Sequence, residues 1–310
     1  MSVAAPVPAR GPGAHPALGG IGLLVLATAC FALLDTTTKA ISLSVPFVMV
    51  LWFRYAFQAV ATTLTIAPRR GRALLLRTVH PKLQLLRAAL LITSSGLAFF
   101  GLRYMPVGEF TAIVMVTPLV ITLLASLMLH EQVSKLRWTL VVGGFVGTLM
   151  IIRPAGDDFD WSLLLPLGMI VSNTWFQLLT SKLVKTDDPM TTQFYTGWIG
   201  VAVFSLALPF FWVPLGSALL WAPVVLIGFL ATFGHLAMVF AYARAPVSTL
   251  TPFLYTQIAF AMLTGWLAFS HVPDRWSMLG IGLIAVCGTA GAWLAVRSRR
   301  GPALPLESTV

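Results

Sequence analysis

The chain has 310 residues, of which 58% are hydrophobic and only 10% charged, with a mean hydropathy of +0.89. A soluble domain carries about 25% charged residues, so 20 basic and 10 acidic side chains are too few to coat a water-soluble protein of this size. Composition therefore excludes an ordinary soluble enzyme and a disordered chain, and two cysteines exclude a disulfide scaffold.

A membrane-spanning helix needs roughly 20 mainly apolar residues. Residues 1–17 are rich in Ala, Pro and Gly and are expected to form a disordered tail. Ten apolar runs follow, at 18–40, 46–66, 83–103, 107–129, 137–153, 161–184, 190–211, 219–243, 247–269 and 275–297, before a second tail at 298–310. The first run carries Leu26-Ala27-Thr28-Ala29-Cys30, which resembles a lipoprotein cleavage site, but it continues apolar through Leu34 and is too long for a cleavable core. The runs are continuous and do not alternate, as barrel strands would. Helices are then the one way to satisfy the backbone in lipid. The expected fold is an all-α integral membrane bundle of ten transmembrane helices.

Lys and Arg set the expected orientation. With the N-terminus in the cytoplasm, inside segments hold fifteen of them, Arg69, Arg70, Arg87 and Arg244 among them. Outside segments hold four, Lys39, Arg103, Arg153 and Arg275, while Arg54 falls within a span. Both termini are expected inside, in a bacterial-type inner membrane. The net charge of +10 is then accounted for by loop residues facing an anionic leaflet, without nucleic acid.

The two halves of the chain resemble each other. Pro106-Val107 and Thr111 recur as Pro246-Val247 and Thr251 at an offset of 140, and Arg137-Trp138 and Gly144 recur as Arg275-Trp276 and Gly282 at 138. Each half, 18–153 and 161–297, holds five expected spans. Five is odd, so the second half enters the bilayer from the opposite side. Inverted repeats of this kind are a transporter architecture, with the site at the midplane between the halves.

Several residues carry a family resemblance: Leu102-Arg103-Tyr104, then Pro118, Glu131, Trp138 and the glycine-rich helix after it, and Arg54-Tyr55 in the second span. This pattern resembles the EamA family of the drug/metabolite transporter superfamily over nearly the whole chain. Family members usually carry Gly-Glu after the fourth span of each half. Here the first copy has His130-Glu131 and the second Ser270-His271, so the second departs from the pattern. Within the family the details are most similar to the YddG-like exporters of aromatic and other amino acids. The resemblance implies a secondary exporter of small metabolites, amino acids first, working by alternating access through a central cavity.

Polar side chains at membrane depth are costly and point to function. Asp35 and Arg54 reach comparable depth in the first two spans and are expected to pair, to meet a substrate charge or to couple transport to protons, with Lys39 as a rival partner or a snorkelling side chain. Glu109, at the start of the fourth span, is expected to act as a helix-terminal carboxylate or in proton coupling. Asn173, Trp175, His235, Tyr255, Gln257 and Arg54 are the expected substrate-binding residues: three rings to stack, the others to hydrogen-bond. Pro118 and Pro252 are expected to break their helices and free backbone carbonyls near the site. Gly143 and Gly147 suit close packing, within the fold or between protomers.

Catalytic and cofactor chemistry find no support. No His-Glu-x-x-His, P-loop or Cys-x-x-Cys is present, and the five histidines are scattered, so no metal or cofactor is expected. A drug or nucleoside-type exporter of the same superfamily is the second reading, a membrane-embedded lipid enzyme the third and a channel the fourth. The expected partners are a small-molecule substrate and the lipid bilayer, with the chain as a monomer.

Overall fold

The computed structural model describes residues 16–70, 78–105, 107–128, 133–152, 161–270 and 275–297. Most of the expected N-terminal tail, the tail 298–310, His130, Glu131, Arg153 and His271 lie outside the described residues. All regular structure among the described residues is helical. The helices are α1 (Pro16–Ile41), α2 (Phe47–Arg70), α3 (Pro81–Tyr104), α4 (Val107–Val114), α5 (Thr117–Met128) and α6 (Lys135–Ile152) in the first half. The second half holds α7 (Leu164–Leu183), α8 (Pro189–Phe211), α9 (Trp221–Arg244), α10 (Val247–Leu254), α11 (Thr256–Phe269) and α12 (Arg275–Arg297).

Seven helices are long and apolar enough to cross a membrane, α10 and α11 counting together, and three shorter apolar helices lie at Thr117–Met128, Trp138–Gly147 and Met278–Cys287. The chain is thus an all-helical, multi-pass membrane protein. Local chemistry sets several helix starts. Pro81 and Pro189 open α3 and α8, where a missing N–H costs nothing. Asp188 caps α8 by accepting from the Met190 N–H at 2.8 Å.

The fourth and ninth expected spans are each broken. In the first half, α4 ends at Val114 and α5 begins at Thr117. Pro118, in the first turn of α5, has no N–H to continue the α4 ladder. In the second half, Pro252 lies inside α10, which ends at Leu254 before α11 begins at Thr256. The freed Ser248 carbonyl accepts from the Thr251 hydroxyl at 3.2 Å. The two breaks fall at equivalent places, yet the prolines do not: Pro252 is two residues before the end of its short helix and Pro118 four residues after.

The halves interlock. Helix α1 packs on α9 and α7 on α3, α2 packs on α8, and α6 on α12; α4 meets α11 while α10 meets α5. Exchanging the halves maps this set of pairs onto itself. The α2–α8 contact is close because α8 presents glycines: a Cβ at Gly197 would lie 2.8 Å from the Ala59 nitrogen, and one at Gly200 2.4 Å from Tyr55 Cγ. Gly143 and Gly147 pack within the fold, against Cys287 and the Gly280 carbonyl of α12.

Candidate functional site

Helices α1, α2, α3, α5, α7, α9 and α11 surround a cavity of about 720 Å³ when the solvent at its mouth is counted in. Its wall is largely apolar, with Phe31, Leu34, Met115, Met169 and Met238, and its polar groups converge from both halves. A smaller pocket of about 300 Å³ shares Asp35, Arg54 and Ser95 and continues past Thr38, Leu51, Leu102 and Ile227 toward the C-terminal end of α1.

Asp35 of α1 and Arg54 of α2 both line this cavity, but the expected Asp35–Arg54 pair is not formed. Each is held instead by a residue of the second half. Gln257 of α11 donates from Nε2 to the Asp35 carboxylate at 3.2 Å. Arg54 Nη2 lies 2.9 Å from His235 Nε2 of α9. Arginine has only donors, so His235 must accept through Nε2 and is a neutral imidazole with its proton on Nδ1. The imidazole is held between rings, with Phe31 at 4.8 Å and Phe176 at 5.6 Å.

A second polar group is built on α7. Gln177 Nε2 donates to Asn173 Oδ1 at 3.2 Å, and Tyr242 of α9 donates to Gln177 Oε1. Both oxygens thus accept bonds within the wall, and Asn173 and Gln177 both line the cavity. Ser94, Ser95 and Thr117 add hydroxyls to the wall.

Not every expected site residue arrives here. Trp175 is 39% exposed and faces outward, because two positions along a helix turn the side chain about 200° from Asn173. The aromatic ring that α7 turns inward is Phe176, which is fully buried. Tyr255 is also fully buried but packs on Gly144, where a Cβ would lie 2.5 Å from Tyr255 Cδ2, and it does not line the cavity. Pro118 lines the cavity and Pro252 does not. Lys39 caps the end of α3, donating to the carbonyls of Leu102 and Met105 at 3.0 and 2.9 Å. The position of Glu109 falls in α4, and its side chain lies outside the described residues.

Comparison with known proteins fits this geometry. The model of the EamA-like transporter family matches residues 18–153 and again 161–294. The chain belongs to this family. EamA-like relatives with assigned roles include a riboflavin transporter of Vibrio cholerae, 30% identical over 292 residues, which cover 92% of this chain and 97% of the relative. An S-adenosylmethionine uptake transporter of Rickettsia felis is 25% identical, covering 86% of this chain and 90% of the relative. A solved crystal structure shares the EamA-like fold at a TM-score of 0.72 with 17% identity, covering 92% of this chain and 98% of the other. The narrower resemblance to aromatic amino acid exporters is not reflected in these relatives' names.

Sequence reasoning missed Arg87 as well as Phe31 and Phe176. It counted Arg87 as a loop anchor, whereas the structure places it in α3 with no exposed surface. The signal was available: Arg87 falls four residues inside the expected third span, 83–103.

Proposed function

We propose that this protein is a secondary carrier that moves a neutral or zwitterionic, ring-bearing polar metabolite across the inner membrane, and that riboflavin is its substrate. One observation carries the reading. The cavity wall offers an acceptor pole, Asp35 with Gln257, and a donor pole, Arg54 with the Asn173 amide. A purely anionic substrate would be repelled by Asp35 and a purely cationic one by Arg54. A flavin ring is neutral and presents an imide N–H between two carbonyls, so it has a donor for the first pole and acceptors for the second. The apolar stretch of Phe31, Met115, Met169 and Met238 suits a flat ring, since methionine adapts its shape to what it touches. The relatives named as riboflavin transporters support the choice.

The same proposal holds that ten helices span the bilayer as two inverted five-helix repeats, with both termini cytoplasmic. Alternating access then rocks one half against the other around the cavity. A second reading is favoured by the same two poles: an amino acid zwitterion would place its ammonium on Asp35 and its carboxylate on Arg54.

The test is uptake of radiolabelled riboflavin, and separately of labelled phenylalanine, into liposomes holding the purified protein, with and without a pH gradient. Saturable riboflavin uptake above empty liposomes is expected. Saturable phenylalanine uptake with no riboflavin signal would move the assignment to amino acids, and dependence on the gradient would establish proton coupling.

A further inference from the structure

Below the cavity, away from the smaller pocket, the helices close on a buried cation. Arg87 of α3 has no exposed surface. Its Nε donates to Thr180 Oγ1 of α7 at 2.7 Å, and its Nη1 donates to the Thr192 carbonyl of α8 at 3.2 Å and to the Thr196 hydroxyl. Its guanidinium lies 4.6 Å from the centre of the Phe176 ring. These described partners are hydroxyls, a carbonyl and a ring, none of them a carboxylate. One side chain of the first half thus ties together two helices of the second.

Three further observations bear on what this does. First, the repeat offset of 140 places Ile227 of α9 where Arg87 stands in α3. Ile227 is buried in an apolar cluster with Val50, Phe99 and Leu230, beside the smaller pocket at the opposite end of the bundle, so that position holds no cation. The two ends are therefore built differently although the halves are alike. Second, Gln84, one turn before Arg87 in α3, donates from Nε2 to Asp187 Oδ2 at 2.9 Å and to Thr192 Oγ1 at 3.3 Å, so a second buried side chain of the first half reaches the second half at this same end. Third, Arg87 reaches the cavity wall through two rings: it lies over Phe176, Phe176 meets His235, and His235 holds Arg54.

We propose that Arg87 is the latch of the transport pathway: its bonds to Thr180, Thr192 and Thr196 close the end of the bundle at the α3 N-terminus, and their release opens it. This deepens the carrier reading given above and depends on it, but not on the identity of the substrate. The cation has to leave its partners for these helices to separate here.

The test reads access to the cavity from each side of the membrane. A reporter cysteine replaces Ser94, which lines the cavity two helical turns above Arg87, in a Cys30→Ala, Cys287→Ala background. A membrane-impermeant maleimide is added to vesicles of either orientation. With Arg87 intact, labelling from the α3 N-terminal side is expected to be slow, and labelling from the other side faster. Arg87→Met removes all three bonds and should speed labelling from the α3 N-terminal side at least tenfold, since one charge-assisted hydrogen bond alone corresponds to about a factor of ten. Arg87→Lys should restore part of the closure. Thr196→Val leaves Arg87 in place and should act in the same direction more weakly, which keeps the test valid should Arg87→Met fail to fold. Unchanged labelling from that side in the folded variants would overturn the latch and leave Arg87 a packing element. Equally fast labelling from both sides with Arg87 intact would also overturn the latch, because this end would then be open at rest, whereas the carrier reading fails only if the same protein shows no saturable uptake of either riboflavin or phenylalanine. No substrate is needed, so a failure of riboflavin transport would not be mistaken for a failure of the latch.

Discussion

The cavity's two poles can be tested by changing charge while keeping shape. Asp35→Asn preserves an acceptor for Gln257 Nε2, which now donates at 3.2 Å, so the wall should stay in place. What is lost is the charge available to a donor on the substrate. A hydrogen bond to a charged group contributes about 1.5–3 kcal/mol. At 1.4 kcal/mol per factor of ten, Asp35→Asn should weaken riboflavin binding roughly 10- to 150-fold. Arg54→Gln should produce a loss of similar size at the other pole, and it also frees His235 Nε2, which Arg54 now occupies at 2.9 Å. The assay is equilibrium binding of labelled riboflavin to purified protein, with thermal unfolding of each variant as the control for folding. If both variants bind within twofold of the wild type and melt normally, the dipolar reading of the site is wrong. If only Arg54→Gln binds poorly, the substrate is anchored as an anion, and the amino acid carboxylate becomes the better model.

Other predictions follow from packing and charge outside the cavity. Trp175→Ala should leave riboflavin affinity within twofold, because this side chain faces outward; a tenfold loss in a binding assay would return it to the site. Gly200→Ala should lower the melting temperature, the overpacking of roughly 1–3 kcal/mol outweighing the helix-propensity gain of about 1 kcal/mol. The reason is that the new methyl would meet Tyr55, which is stacked on Phe204 and bonded to Ser95 at 3.1 Å. An unchanged or raised melting temperature would show that the α2–α8 contact yields. Asp187, in the turn between α7 and α8, ties that turn to the segment before α3. Burial raises its pKa, but donors from Thr78, Val79 and Gln84 and the nearby His80 outweigh that and hold the carboxyl below its ordinary value. A carboxyl lowered in the folded state stabilises fully above its unfolded value of about 3.9. That contribution is lost as pH falls through the lowered folded value. The melting-temperature gap between wild type and Asp187→Asn should therefore be flat from pH 8 to pH 5, corresponding to about 1–3 kcal/mol, and close only in strong acid. A gap that closes near neutral pH would contradict the assignment.

Much of the fold was legible because the bilayer allows few solutions. Long apolar runs must be helices, and their limits track the described elements closely: α3 was expected at 83–103 and is Pro81–Tyr104. The breaks after α4 and α10 follow from proline's missing N–H, a local property. Part of the site was legible for the same reason. Asp35, Arg54, Asn173, His235 and Gln257 are costly at that depth, and all five line the cavity.

What could not be read was which partner each residue meets. Asp35 and Arg54 looked like partners because they are opposite charges at one depth, yet each is held by a residue 181 or more positions away in the chain. Trp175 and Phe176 are adjacent in sequence, and only the rotation of α7 against α3 and α9 turns Phe176 inward and Trp175 out. Arg87 shows the same limit. Composition and hydropathy assign a cation near a span end to the interface, where it would be solvated. Only the packing of α3 on α7 and α8 brings three acceptors and an aromatic ring around it. The sequence by itself determined the solvent, the helices, the repeat and the depth of each polar residue, because these follow from transfer free energies along one chain. Tertiary structure decided which faces meet, because helix rotation is set by shape complementarity between segments that the chain places far apart.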